Sequence, residues 1–336
     1  MPTTTAIPAG RLLCGRTVNP VGLGCMTLSW AYGTPPADAD GERLLHKALD
    51  LGYDHLDTAR IYGLGHNETL IGRALKSRRG EFVLASKTGI IVDGDKRRID
   101  CRPETIRTAL ETSLQLLQTD HIDLYYLHRR DFTVPIEDSI GALADLVKAG
   151  KIGAIGLSEM SAETLRKASA VHPIAAMQTE YSPMTRNPEI AVLEACREMG
   201  TTFVAFSPVA RGVLADPRLD MDTVPPKDIR RGMPRFQSDN YPANVALAES
   251  FAGIATEHGV TPAQLAMAWL FARGPHVVAI PGTTRLDHLQ ENIARWDWDM
   301  PEAANAAIDA LINRATVVGN RYAPPMQATI DTEEFA

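Results

Sequence analysis

The sequence predicts an α/β fold, a single (β/α)8 barrel, on three observations. Short β-rich runs alternate along the chain with longer segments of helical spacing. Eight such strand candidates can be counted. Each is apolar almost throughout, which is how strands read when a parallel sheet is covered on its outer face and filled within. An open doubly wound sheet is the rival. The barrel is preferred because no linker or half-and-half division interrupts the series. The chain is therefore read as one domain over residues 1–336, with a core at about 10–300 and a tail at 301–336.

The elements follow in order. RLLCGRTVN at 11–19 reads as a short hairpin closing one end of the barrel. The strands are expected at 21–26, 55–59, 82–88 and 121–128, then at 152–158, 175–181, 202–208 and 277–282. Between them, helices are expected at 38–51, stopping at Gly52, and at 103–117, with Pro103 in the first turn. Two more are expected at 136–149 and 189–199, stopped by Gly150 and Gly200. The seventh connection, 209–243, differs from the rest. It holds Pro217, Pro225, Pro226, Pro234 and Pro242 with little periodicity, and long loops of this kind are usually functional. It is expected to fold over a ligand, with IRRGMPRF giving it a basic face, and to order when that ligand binds. The tail beyond Pro301 is expected to end loosely.

Composition narrows the function. With 45% apolar and 22% charged residues the chain reads as an ordinary globular protein. A formal net charge of −7 argues against nucleic acid as the main partner. Cys14, Cys25, Cys101 and Cys196 form no CxxC or Cys/His pattern and read as separate reduced thiols, which favours a cytoplasmic setting. The N-terminal segment lacks the pattern of a signal peptide, and no apolar run is long enough for a membrane span. No spaced His/carboxylate set suggests a metal, no G-x-S-x-G suggests a serine hydrolase, and no complete G-x-G-x-x-G suggests a Rossmann site. Oligomeric state is not legible.

In a parallel barrel, chemistry gathers at the C-terminal ends of the strands. Those ends carry Asp57, with Tyr62 in the loop after it, then Lys87, His128, Ser158 with Glu159, Gln178, and Phe206 with Ser207. Taken singly, Asp57 reads as a turn cap, Lys87 as a surface lysine, His128 as a satisfied core histidine and Tyr62 as packing. Together they suit proton transfer to a carbonyl oxygen. A free phenol, with a pKa of about 10, is a weak acid at neutral pH. An ammonium from Lys87 would lower it by roughly 1–3 units, Asp57 would hold that ammonium charged, and His128 would orient the carbonyl. Trp30 and Tyr32 are expected as an aromatic wall for substrate, with His128 and Arg129 beside them.

These residues also resemble a known family. Asp57, Tyr62, Lys87 and His128 match the tetrad of the aldo-keto reductase superfamily in order and setting. The stretches GYDHLDTARIYGLGHNETLIGRAL, LASKTG, LHRRDFTVPIEDSIGALADLVKAGKIGAIGLSE, FSPVARG and IPGTTRLDHLQEN are similar to it as well. Its nearest branch by these motifs is that of the auxin-induced and perakine-reductase-like enzymes. The resemblance implies a barrel that binds NADPH without a Rossmann fold and reduces an aldehyde or ketone, with Tyr62 protonating the oxygen. It implies that Ser158 and Gln178 hold the carboxamide, that Phe206 stacks on the nicotinamide, and that Gly24, Cys25 and Met26 flank it with Asp57. It further implies Ser207, Pro208, Val209, Arg211 and Gly212 along the pyrophosphate. Ile280, Gly282, Thr283, Thr284 and Arg285 then lie toward the 2′-phosphate, with Glu291 and Asn292 on the adenine. The segment at 282–292 is expected to open a helix whose N-terminus faces phosphate. The chain departs from the family at two positions, with Glu159 where many members carry Asn and His288 where some carry Arg, so NADH remains an alternative cofactor. Two other functions are weighed against reduction. One is an NADPH-binding regulatory subunit with little turnover; the other is a barrel isomerase using Lys87 as a base or Schiff-base amine.

Overall fold

The computed structural model describes residues 10–94, 96–216, 218–294 and 298–335. The first nine residues, read above for the absence of a targeting signal, and Pro217 of the seventh connection lie outside them. A hairpin of β1 (Arg11–Leu13) and β2 (Arg16–Val18) comes first. The main sheet has eight parallel strands. They are β3 (Leu23–Gly24), β4 (His55–Asp57), β5 (Val83–Thr88), β8 (Ile122–Leu127), β9 (Ile152–Ser158), β10 (Ile174–Glu180), β11 (Thr202–Phe206) and β12 (Val277–Ile280). A second hairpin, β6 (Ile90–Asp93) with β7 (Lys96–Ile99), follows β5.

The sheet closes on itself. Val21 bridges Ala279 and Gly24 bridges Gly282, both parallel, with Gly22 N–H donating to the Ala279 carbonyl at 2.8 Å. The seam needs glycine at both positions. A Cβ on Gly24 would sit 2.7 Å from the Ile280 carbonyl oxygen, and one on Gly282 would sit 2.9 Å from the Gly24 carbonyl oxygen. No backbone can yield that much without opening the barrel.

Helices α1 (Asp38–Asp50), α2 (His66–Leu75), α3 (Pro103–Leu117), α4 (Ile136–Lys148), α5 (Ala162–Ser169) and α6 (Val192–Met199) each follow a strand. After β11 come α7 (Tyr241–Glu257) and α8 (Pro262–Phe271), and after β12 comes α9 (Leu286–Ile293). Both starts and stops follow the local chemistry. Pro103 opens α3, Gly200 ends α6 in a left-handed turn, and Thr261 with Gln264 forms a reciprocal cap on α8. Among the described residues no helix is long and apolar enough to cross a membrane.

Two cores result from the period-two alternation of the strands. The larger lies between sheet and helices. The smaller fills the barrel with Val83, Ala85, Leu124, Tyr126, Ala176, Val204 and Val278, and Leu13 and Val18 of the first hairpin join it as a plug. That end is therefore shut, and chemistry is confined to the other.

The tail does not end loosely, contrary to the sequence expectation. After α10 (Glu302–Leu311) it crosses the loops at the strand ends and runs through α11 (Pro324–Gln327). Asp331 accepts from Arg130, Ser161 and Thr164, and Arg321 and Tyr322 are buried. The seventh connection is likewise built in. Ile229 N–H donates to the Ala31 carbonyl at 3.0 Å and Gly33 N–H to Asp228 at 2.6 Å. Its expected basic face is reduced: Arg230 is buried on Asp228, while Arg231 bonds the carbonyls of Val224 and Pro225 and stays exposed. Unsatisfied loop carbonyls draw the guanidinium donors toward the backbone.

Candidate active site

Strand parity places the site. Lys87 lies two residues beyond the interior Ala85, His128 two beyond Tyr126, Gln178 two beyond Ala176 and Phe206 two beyond Val204. Every second residue faces the same way, so these side chains form the next layer above the barrel filling. Ser158 has the same parity at the end of β9. Lys87 is fully buried, and its three donors are all used. Nζ donates to Asp57 Oδ1, to the Thr58 carbonyl at 2.8 Å and to the Tyr62 hydroxyl at 3.4 Å. The Tyr62 ring meets the His128 ring edge to face with centroids 5.9 Å apart. The four residues singled out in the sequence thus stand together at one mouth.

The electrostatics differ from the sequence expectation in one respect. Burial is the largest influence on Tyr62 and raises its pKa; Lys87 pulls in the opposite direction without overcoming it. Lysine thus limits the rise instead of producing a net decrease, and the phenol keeps its proton at neutral pH. For Lys87, burial alone would favour the neutral amine, but Asp57 and Tyr62 outweigh it and the pKa is raised. His128 is driven well below its usual range by burial, then by the charges of Arg129, Lys87 and Arg97, and is a neutral imidazole. The mouth therefore offers a protonated phenol, a fixed cation and a neutral ring.

Several supports escape sequence reasoning. Gln178 Nε2 donates to Asp57 Oδ2 at 2.7 Å, so one of its two amide donors buttresses the carboxylate. Asn67, fully buried in the first turn of α2, accepts from Thr58 Oγ1 at 2.5 Å and donates to the Cys25 carbonyl at 2.8 Å. It ties the β3 and β4 ends together. Glu68 accepts from Ser86 at 2.6 Å behind Lys87. The GHNE motif hinted at Asn67 and Glu68 only through polar residues at a helix start. No local signal marks the Gln178 contact.

Glu159, which stands where many members of the family carry Asn, is engaged within the protein. It has the opposite parity to Ser158 and a positive φ of 55°, and its carboxylate takes two hydrogen bonds from Arg321 Nη2, at 2.7 and 2.6 Å. One residue's offset in a strand reverses the face. Arg211 is engaged as well. Its guanidinium is buried on Glu180, 2.6 Å from Oε2, and donates to the hydroxyls of Tyr32 at 2.7 Å and Tyr322 at 2.9 Å. These donors are engaged within the protein and not turned toward a pyrophosphate. Tyr32 serves that cluster and not a substrate wall. Trp30 does pack with Ile61 and Tyr62 beside the mouth.

The remaining expected cofactor residues ring the barrel top. Gly24, Cys25 and Met26 stand at the β3 end and Phe206, Ser207, Pro208, Val209 and Gly212 at the β11 end. Ile280 ends β12, and Gly282, Thr284 and Arg285 lie on an exposed rim next to the buried Thr283 and Asn292 and the half-buried Glu291. The helix there begins at Leu286, four residues later than expected, and Arg285 pairs with Asp287 across exposed surface.

Residues 20–313 match the sequence profile of the Aldo/keto reductase family. The chain belongs to that family. This aldo/keto reductase is 41% identical over 315 residues to the aldo-keto reductase yakc [NADP(+)] of Schizosaccharomyces pombe, covering 92% of each chain. Its fold is similar to that of the glycerol dehydrogenase AKR11B4 from Gluconobacter oxydans, with a TM-score of 0.83 and 30% identity over 95% of this chain and 99% of that one. An aldo-keto reductase from Klebsiella pneumoniae, in complex with NADPH, gives a TM-score of 0.72 at 25% identity over 92% of this chain and 96% of that one.

Proposed function

We propose that this aldo/keto reductase uses NADPH to reduce aldehydes or ketones to alcohols, with Tyr62 as the proton donor. One observation carries the reading: the Lys87 ammonium is buried between Asp57 and the Tyr62 hydroxyl at the open end of the barrel.

The residues present fit such a cofactor. Ser158 and the half-buried Phe206 stand on the inward face of the mouth, a hydroxyl and an aromatic face suited to a carboxamide and a flat ring. Ser207, Ala210, Arg211 and Gly212 all take positive φ, at 53, 50, 58 and 98°. Backbone strain of this kind concentrates at functional sites, and here it sits where the pyrophosphate is expected, although the Ala210 and Gly212 N–H groups are taken by the Ser207 and Val209 carbonyls at 2.9 and 3.0 Å. Thr27 Oγ1 is buried without a partner near the Gly24–Gly282 seam. Thr283, Thr284 and Arg285 would meet the 2′-phosphate. The Arg285–Asp287 pair is exposed on both sides and screened by solvent, so its arginine is easily released. The NADP(+) in the name of the S. pombe relative and the NADPH of the K. pneumoniae structure support the same choice.

When bound, the cofactor supplies a hydride to the carbonyl carbon. The protein's residues manage the other partner, the proton. His128, neutral, donates a hydrogen bond to the carbonyl oxygen and fixes it near Tyr62. Tyr62 gives its proton to that oxygen as charge develops there, and Lys87, held by Asp57 and the Thr58 carbonyl, stabilises the phenolate left behind. Gln178 keeps Asp57 in place.

The test is Tyr62→Phe, which removes only the hydroxyl. Reduction of an aldehyde panel, followed by NADPH consumption, should fall by about 10²–10⁴-fold, with NADPH binding by fluorescence titration nearly unchanged. Retained turnover in this variant rejects the assignment.

A further inference from the structure

Two arginines at the mouth have no carboxylate partner among the described residues. Arg129, directly after His128, is 9% exposed, and its one hydrogen bond within the protein runs from Nη1 to the His128 carbonyl at 2.7 Å. Arg97, on β7, lays its guanidinium over the Trp30 ring, 4.9 Å from the centroid. Among the described residues neither forms an ion pair, whereas the buried Arg211, Arg230 and Arg321 each sit on a carboxylate. Two nearby acids are committed elsewhere. Asp131 accepts from Cys101 N–H and Thr133, and Asp100 is held by Arg98 and Arg102.

Both charges reach the reacting groups. Arg129 and Arg97 act together on His128, Arg129 also acts on Tyr62, and the two arginines act on one another. Lys87 is already balanced by Asp57. Among the described residues the mouth thus holds two cations without an ion pair, the nine-tenths buried Arg129 and the exposed Arg97. Burying a guanidinium without a counter-charge is unfavourable, and a ligand that brings the anion removes that cost. Guanidinium forks match a planar carboxylate in two-point geometry. Trp30, which lies under Arg97 and packs against the cluster that holds Tyr62, offers an apolar face to whatever joins carbonyl and anion.

We propose that the substrate is a carbonyl compound that also carries a carboxylate, bound by Arg97 and Arg129 while its C=O lies against Tyr62 and His128. This rests on the carbonyl-reductase reading above and adds the substrate class. The test compares 4-formylbenzoate with its methyl ester, two aldehydes of like shape that differ in charge. In the unmodified enzyme with NADPH, kcat/KM should favour the acid by about 100-fold, the scale of a well-formed charge-assisted pair. In Arg97→Met that acid-to-ester ratio should fall to about 10 or less. A second measurement is independent of turnover. Calorimetric titration should show 4-(hydroxymethyl)benzoate binding more tightly than its methyl ester, with the preference reduced in Arg97→Met. Equal kcat/KM for acid and ester would overturn the arginine site while leaving carbonyl reduction standing. Preferential, Arg97-dependent binding of the acid without turnover of either aldehyde would do the reverse.

Discussion

Arg321 is the residue whose loss should reveal how the tail is held. Its Nη2 bonds both oxygens of Glu159, and its Nε lies 3.5 Å from Glu180 Oε2. All three side chains are essentially excluded from water, with 3, 0 and 3% exposure. Burial alone would raise the Glu180 pKa, yet Arg211 and Arg321 bring it down to about 2, so the two cations together hold it charged. Arg321→Met would leave Glu159 with the Glu180 N–H, 2.9 Å away, as its remaining partner. Removing one member of a buried pair costs about 3–5 kcal/mol. At about 2 °C per kcal/mol for a chain of this size, thermal unfolding should shift down by roughly 5–10 °C. Circular-dichroism melts of Arg321→Met, Glu159→Gln and the double variant would measure this. The double variant should be more stable than the sum of the singles implies, by roughly 1–3 kcal/mol, because the second substitution removes the stranded charge. A single variant melting within 1–2 °C of the parent (about 1 kcal/mol or less), or strict additivity, would refute the reasoning.

Two further predictions concern the site and the seam. Because the Tyr62 pKa is raised and the His128 pKa lowered, the donor stays protonated and the imidazole neutral across the neutral range. kcat/KM for reduction should therefore show no inflection near about 6.5, the ordinary histidine value. Alcohol oxidation, which needs the phenolate, should keep rising with pH through about 10. A reduction profile breaking near neutrality would contradict both directions. Gly24→Ala should lower stability by about 1–3 kcal/mol through overpacking against the Ile280 carbonyl, and an unchanged denaturation midpoint would show that the seam can relax.

Much of this protein could be read from its sequence. The apolar runs, each with a turn and a helical segment after it, specified eight strands and the barrel, because a parallel strand covered on both sides has little room for polar residues. The C-terminal ends of those strands then placed Lys87, His128, Ser158 and Gln178 at one mouth. The chain also reads clearly as family through Asp57, Tyr62, Lys87 and His128, each at a strand end or in the loop beyond it, where the fold exposes chemistry.

The tertiary structure decided what depends on residues distant along the chain. Gln178 reaches Asp57 from 121 positions away and Arg321 reaches Glu159 from 162, and no local pattern encodes either. It also fixed the balance in which burial outweighs lysine at Tyr62, since desolvation exists only once the neighbours have assembled. The destination of the tail belongs to the same class, because Asp331 finds Arg130, Ser161 and Thr164 only once the barrel has closed.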